Sequence, residues 1–590
     1  MAACALRFYR PHLQTVSAAV FLCSVCAPSI WALQNCEVRH SNQQAHRLVV
    51  LAHGIANTQH RMDNVRDAIT VAMPDADLLA PTYSNSIYAS DDPRTIAWDL
   101  ASCINSVDSP QYSDVVLVGY SAGGLLLRKA FLLSRGYASD DPNNLPVREQ
   151  SWGRKVSRIV LLAGMNRGWS IDPPPEQMRW IDVIKARLAD ALTPDSIGGL
   201  IRSMRRGSPF VVDLRIDWMR MAEEAREAQT HLPLTIQLLG DQDDVVARTD
   251  SIDLESGVAF VYKRLPDPSN HMNAVDFTGD VGELRKKIFL DALTTPPSHL
   301  VGDYRKEGAL NPDFGVTDVV FVVHGIRDPG PDWTKKIAQQ LEQMRPRTLK
   351  AIPSSYDYFP MGKFLLGFER EKNVRWMMDQ YTAAMANYPR AKFSFIGHSN
   401  GTFLLAQALR NYPACRFERA ALAGSVIPTR YPWHQTGGKI SSVRNYVATA
   451  DYVVGIFPHL YELLAPNSSD IGGAGFLGFD GDAEIRKEQV TWVVGGHDAA
   501  LQPGVIPNIL AFIVREANEI PISPASRGDS QSKVATLASR LCWLIWLALL
   551  LIVVGAAWFV LRLTRNRRWY VRLGAVALYL TLLIILLDTI

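Results

Sequence analysis

The chain runs to 590 residues, well past the roughly 250–300 at which a single core stops growing, so two domains with additional segments are expected. Lys plus Arg number 61 against 58 Asp plus Glu, a formal net charge of +3, which excludes the strongly basic footprint of a nucleic-acid binder. The apolar share of 48% is ordinary for a globular chain, but its surplus is concentrated at the two ends.

Residues 1–32 have the layout of a signal peptide or N-terminal anchor. Arg7 and Arg10 precede an uncharged run from Thr15 to Ala27, and Ala32 is a small-residue cleavage point. A lipoprotein anchor would need a small residue before its cysteine, whereas Leu22 precedes Cys23 and Val25 precedes Cys26. Of the seven cysteines, Cys36, Cys103, Cys415 and Cys542 lie downstream of this segment. A bridge between Cys36 and Cys103 is open, because pairing does not follow from sequence.

A first domain is expected over residues 46–293. His46 to Ala52 is a short apolar, β-branched run ending in His53-Gly54-Ile55, as a buried parallel strand does where it opens into a loop. Val115 to Val118 leads into Gly119-Tyr120-Ser121-Ala122-Gly123, and Leu125 to Leu133 reads as the helix that follows. In a G-x-S-x-G turn the serine sits on a strained strand-to-helix bend, and the glycines admit close backbone packing. A serine hydroxyl is a poor nucleophile at neutral pH, so such a site also needs a base and an orienting acid. Leu234 to Leu239 is an apolar strand running into Gly240-Asp241-Gln242-Asp243-Asp244-Val245-Val246, and the loop Asp267 to Asn273 carries His271. Between the strand Arg158 to Ala163 and this acidic loop lies an insertion, residues 165–231. Trp169, Trp180, Ile184, Leu188, Leu192, Ile197, Leu200, Ile201 and Met204 alternate there with Lys and Arg, the pattern of amphipathic helices.

After a linker, 294–316, residues 317–518 repeat the order. Asp318 to Val323 is the strand before His324-Gly325-Ile326. Phe393 to Ile396 precedes Gly397-His398-Ser399-Asn400-Gly401, and Phe403 to Leu409 is the helix after it. Arg444 to Thr449 runs into Ala450-Asp451-Tyr452-Val453-Val454, and Thr491 to Val494 runs into Gly495-Gly496-His497-Asp498. The segment between Gly424 and Arg444 is far shorter than the insertion of the first half. Residues 519–540, rich in Ser, Ala and polar side chains, are expected to be a tether. Residues 541–561 carry no charge and are long enough to span a bilayer as a helix. A second, shorter apolar run, 573–587, would need snorkelling or local thinning to cross. Arg562, Arg565, Arg567, Arg568 and Arg572 lie between the two without an acidic residue, which puts that turn in the cytoplasm and the bulk of the chain outside it.

The repeated order of strand, His-Gly-Ile loop, serine turn, Asp-x-Val-Val loop and late histidine resembles the α/β-hydrolase fold superfamily, serine esterases and lipases among them, in two tandem copies. The resemblance implies two domains of mainly parallel sheet flanked by helices, with a helical insertion in the first, and the apolar runs add a transmembrane helix pair at the C-terminus. It implies a triad of Ser121, Asp243 and His271 and a second of Ser399, Asp451 and His497. Asp241 and Asp244 are rivals for the first acid, since loops carry Asp for turn formation alone. By the same resemblance, the backbone N–H groups of Ile55 and Ala122, and of Ile326 and Asn400, are the oxyanion donors. His53 and His398 are expected to be structural. The insertion is placed where lipases carry lids, and the alternative is a plain cap shaping a small-ester pocket. Gly164 to Ser170 and Arg206 to Phe210 look like segments of bacterial lipases and esterases. The implied activity is hydrolysis of carboxylic esters, lipid or acyl, with acyl transfer to another alcohol, or one catalytic half beside a binding half, as alternatives. Metal-ligand spacing, a phosphate-binding glycine loop and a dinucleotide fingerprint are all lacking, so no cofactor and no metal is expected. The expected partners are the ester substrate and the membrane, not nucleic acid.

Overall fold

The computed structural model describes residues 33–589 except 42–43, 56–58, 85, 87–88, 140–146, 171–198, 247–259, 304–311, 327–331, 355, 357–358, 467, 469, 481–485 and 517–519. The expected N-terminal signal lies outside the described residues. The apolar β-branched runs fold into two parallel sheets, each buried on both faces by helices, as such continuous runs require. The first contains β1 (Val38–Arg39), β2 (Arg47–Ala52), β3 (Ala76–Leu79), β4 (Asp114–Tyr120), β5 (Val156–Leu162), β6 (Leu234–Gly240) and β7 (Phe260–Leu265). Its order is β1-β3-β2-β4-β5-β6-β7, with β1 antiparallel and the rest parallel.

The second sheet contains β8 (Asp318–Val323), β9 (Leu349–Ser354), β10 (Lys392–His398), β11 (Phe417–Ala423), β12 (Ile440–Ala448) and β13 (Arg486–Val493), in the order β9-β8-β10-β11-β12-β13. In both sheets the chain steps outward from the first long strand and returns to its other side. This creates a switch point, the place where open parallel sheets bind ligands at the carboxyl ends of their strands. Register then decides what meets there. Ala52 pairs with Gly119, which sets the His53 loop beside the Ser121 turn, and Val323 pairs with Gly397, which does the same for His324 and Ser399. Gly240 pairs with Leu265, so the acidic loop and the His271 loop leave adjacent strands.

The expected lid falls largely on residues 171–198, outside the described residues, and the described part of the 165–231 insertion serves another purpose. Its helix Pro209–Glu227 is wedged between the halves: Val211, Leu214 and Trp218 belong to the core of the first, Val212 and Ile216 to that of the second. The physical reason is that this helix is apolar on two faces, so it buries both. Trp180, Ile184, Leu188, Leu192 and Ile197 lie outside the described residues. Polar groups line the same junction. The buried carboxylate of Asp379, on the helix Gly367–Asn387, accepts from Arg167 Nη2 and from Arg215 Nη1, each at 2.6 Å. Tyr412 donates to the carbonyl of Gly207 at 2.7 Å. Gly207 has φ +73°, and a Cβ there would meet the Arg375 carbonyl oxygen at 2.0 Å.

The expected tether differs most. Residues 520–540 lie along the second sheet rather than loose in solvent: Val494 N donates to Ser526 O at 2.9 Å, Gly528 N to Trp492 O at 2.7 Å and Ser532 N to Thr449 O at 2.9 Å. Ser532 then caps the helix Lys533–Arg540, whose Ala535 is buried in the second core. Serine and alanine, read as linker composition, serve here as a cap and a helix former. Among the described residues one helix, Cys542–Leu563, is long and apolar enough to cross a membrane. The second expected span falls on the helix Trp569–Thr589, whose apolar stretch, Trp569–Leu583, is shorter than a span. The two helices pack together, with Tyr579 donating to the Val553 carbonyl at 2.8 Å.

Candidate active site

Each serine turn is a strained bend of the same form. Ser121 has φ 53° and ψ −124°, and Ser399 has φ 51° and ψ −119°. Non-glycine residues avoid this region, and holding one there costs on the order of 1–3 kcal/mol. The neighbouring strand supplies the restraint. Ser121 N donates to Leu162 O and Ser399 N to Ala423 O, both at 2.9 Å. The glycine two positions later lets the helix start press against the His-Gly-Ile loop. A Cβ on Gly123 would lie 2.5 Å from the carbonyl oxygens of Ala52 and His53, and one on Gly401 would lie 2.6 Å from that of Val323.

In the first half the three expected groups meet. Ser121 Oγ lies 2.8 Å from His271 Nε2, and His271 Nδ1 lies 3.0 Å from Asp243 Oδ2, all buried. The other Asp243 oxygen accepts from the N–H groups of Val245 at 2.9 Å and Val246 at 2.7 Å. That division explains the Asp-x-Val-Val spacing: one oxygen aims the imidazole while the other closes the loop that carries it. Asp241 turns instead to Arg264, at 2.6 Å, and Asp244 makes no described contact with His271. Tyr120 donates to the His271 carbonyl at 2.9 Å. Arg285 holds the same loop through Ser269 Oγ at 2.8 Å, the Pro268 carbonyl at 2.6 Å and the Asp276 carbonyl at 3.0 Å.

In the second half the structure joins two of the three. His497 Nδ1 lies 2.9 Å from Asp451 Oδ2, and Asp451 Oδ1 accepts from Val454 N at 3.0 Å, capping the helix Tyr452–Leu464. His497 Nε2 is buried without a hydrogen-bond partner among the described residues, and no bond joins it to Ser399 Oγ. His398 packs beside it, ring centroids 4.8 Å apart, and pairs with Asp498 at 3.1 Å. Burial disfavours the charged form of His497, but the Asp451 carboxylate, its hydrogen bond and the charge of Asp498 outweigh that and raise the pKa above the ordinary 6.5.

Ile55 and Ile326 stand in the turns after β2 and β8, and Ala122 and Asn400 begin the helices after each serine, where N–H groups have no helical carbonyl to bond. His53 and His324 brace those turns. Each ring bonds the next glycine's carbonyl, at 2.9 Å and 2.7 Å, and each stacks on a tyrosine, Tyr83 at 4.0 Å and Tyr356 at 4.3 Å. The two tyrosine hydroxyls donate back to the carbonyls of His53 and His324. Burial outweighs the bond to Gly54 and lowers the pKa of His53 below the ordinary 6.5. Sequence reading missed both tyrosines and Arg285. The signal for the tyrosines was the repeat itself, since one follows each His-Gly-Ile by 30 and 32 residues.

No protein-family model and no curated protein matches the chain. Solved structures similar to it include Est1E from Butyrivibrio proteoclasticus, at 13% identity and TM-score 0.26 over 44% of this chain and 93% of that one. The mature lipase BlEst2 of Bacillus licheniformis is similar at 15% identity and TM-score 0.27 over 44% and 96%, and an esterase of Exiguobacterium antarcticum at 14% and 0.28 over 44% and 94%. Values of that size leave the fold to be argued from the chain's own geometry. Parallel sheets with a switch point, a strained serine between strand and helix, and an Asp loop then a His loop following in chain order fit the α/β-hydrolase fold.

Proposed function

We propose that this chain is a serine-dependent hydrolase of carboxylic esters. The observation that carries the reading is the unbroken relay from Ser121 Oγ through His271 to Asp243 on a strained turn. In the proposed reaction His271 Nε2 takes the serine proton as Oγ attacks the ester carbonyl. The Ile55 and Ala122 N–H groups face the oxyanion, and the alcohol leaves with the proton. Water then attacks the acyl-serine, giving its proton to His271 and its oxygen to the acid released, and Ser121 recovers its hydrogen.

The two halves are read as tandem hydrolase domains, anchored by Cys542–Leu563 and facing away from the cytoplasm. Support comes from the repeated turn, loop and His–Tyr brace, from the arginines between the C-terminal helices, and from the Cys36–Cys103 disulfide, a bond that persists in oxidising compartments. A second reading, in which the Ser399 half binds rather than cleaves, is favoured by the missing Ser399–His497 bond. Fluorophosphonate labelling followed by peptide mapping tests both. Label on Ser121 is expected, label on Ser399 as well would make two working sites, and label on neither serine would end the hydrolase reading.

A further inference from the structure

Two segments leave the Ser399 site from opposite walls and end on the same apolar helix pair. On the acid side, Asp451 caps Tyr452–Leu464, and Phe457 of that helix packs on Trp546 of Cys542–Leu563, ring centroids 5.3 Å apart. On the oxyanion side, Tyr356 accepts from Asn400 Nδ2 at 2.9 Å and braces the His324 turn. Past Tyr356 and the buried Phe359, the chain reaches the short helix Met361–Phe364, which lies against Trp569–Thr589. Phe364 and Phe457, 6.0 Å apart, close the arch between the two walls.

Leu365, Leu366, Phe368, Val453, Leu463 and Leu464 stand exposed along these two segments, Leu464 at 76%. Scattered exposed leucines need no explanation, but an apolar collar continuous with a membrane-length helix is a contact surface. The 520–540 segment leaves the collar no freedom to stand off, because it is bonded to the second sheet up to Ser532 and enters its helix directly before Cys542.

We propose that this collar is seated in the non-cytoplasmic leaflet and that the Ser399 site takes its substrate from the bilayer itself, as an ester of a long acyl chain anchored among the lipids. The inference rests on reading Ser399 as a nucleophile and Cys542–Leu563 as a span. The occupant follows from continuity: the surface that begins at the span has lipid beside it by position, and its two ends are the walls of the site. The chemistry is the hydrolysis above, water adding across the acyl C–O bond.

The test uses the full chain in phosphatidylcholine–phosphatidylglycerol nanodiscs, with Ser121→Ala so that the second site alone reports. Hydrolysis of p-nitrophenyl acetate is compared with that of a long-chain fluorescent diacylglycerol in the same disc. Adding Leu366→Gln, Phe368→Gln and Leu464→Gln should lower the lipid rate relative to the acetate rate tenfold or more. An unchanged ratio overturns the proposal. Independently, a nitroxide at Leu464→Cys should collide strongly with oxygen and weakly with a water-soluble nickel chelate, after subtraction of the parent's signal. The control label at Val71→Cys, on the first half and 78% exposed, should do the reverse. A water-exposed label at Leu464→Cys, or one buried against a second copy, would overturn the seating. Silence toward both esters with a lipid-facing label would instead sink the hydrolase reading of Ser399 and leave the seating standing.

Discussion

At the scale of single residues the first site separates groups that sequence alone leaves equivalent. Asp241, Asp243 and Asp244 share one loop, yet Asp243 aims His271 while Asp241 pairs with Arg264. Asp243→Asn should therefore lower kcat by about four powers of ten through the wrong imidazole tautomer, and Asp241→Asn should leave it within about twofold, both read on the Ser399→Ala background. The second histidine makes a prediction in pH. Its pKa is raised because Asp451 outweighs burial, and a general base must be neutral, so the acid limb of the Ser121→Ala enzyme should have its midpoint above 6.5. Asp451→Asn should move that limb downward as it lowers the rate. The same shift stabilises the fold fully below the unfolded value and is lost as pH rises through the raised one. The serines, aspartates and histidines that the structure brings toward one another in each half were legible as candidates because they fall in a fixed chain order with local spacing. Tyr83 and Tyr356 left only the repeat of the His-Gly-Ile spacing as a signal and Arg285 left none, because each acts on a backbone carbonyl of another loop, and packing decides which carbonyl that is.

At the scale of elements the serine turns concentrate cost and restraint in a few residues. The bend at Ser121 is tolerated because the backbone bond to Leu162 and the close contact at Gly123 leave the chain no other path. Gly123→Ala would drive its Cβ into the backbone carbonyls of Ala52 and His53, at the start of the turn that carries the proposed oxyanion donor Ile55. Losing one oxyanion donor costs about 10²–10³ in kcat, and this substitution should cost at least that while binding of a substrate fragment changes less, a split visible in kcat against KM. The strands and elbow helices could be read from apolar runs because a buried parallel strand has one composition. The insertion and the 519–540 segment could not. An amphipathic helix looks alike whether its apolar face covers a site or fills a junction, and a Ser-rich stretch looks alike whether it is solvated or laid along a sheet edge. What decided both was the second half of the molecule, which supplied a surface that local pattern does not contain.

At the scale of the whole molecule the halves are joined by the helix Pro209–Glu227 and by one buried carboxylate serving two guanidinium groups. Burial opposes the charge on Asp379, but Arg215, Arg167 and Arg206 outweigh it and hold its pKa below the ordinary 3.8. A depressed acid contributes stability present above the unfolded value and lost as pH falls through the folded one, so the junction should weaken in acid before the sheets do. Breaking a buried pair from one side is costlier than the pair is worth, about 3–5 kcal/mol, because the partner charge is left unpaired. In Asp379→Ala two buried guanidinium groups lose this carboxylate at once, in a junction whose apolar contacts are shared with both cores. The halves each keep their own sheet, so the loss should fall on their coupling. Calorimetry of the parent should give one transition near neutral pH, and Asp379→Ala should split it in two, the lower one belonging to the half that loses the wedge. Asp379→Asn, which keeps two acceptor sites on one oxygen but no charge, should fall between them. A single transition lowered as a whole would mean that the two halves unfold as one unit with or without this carboxylate, and that the wedge helix carries the coupling by its apolar faces.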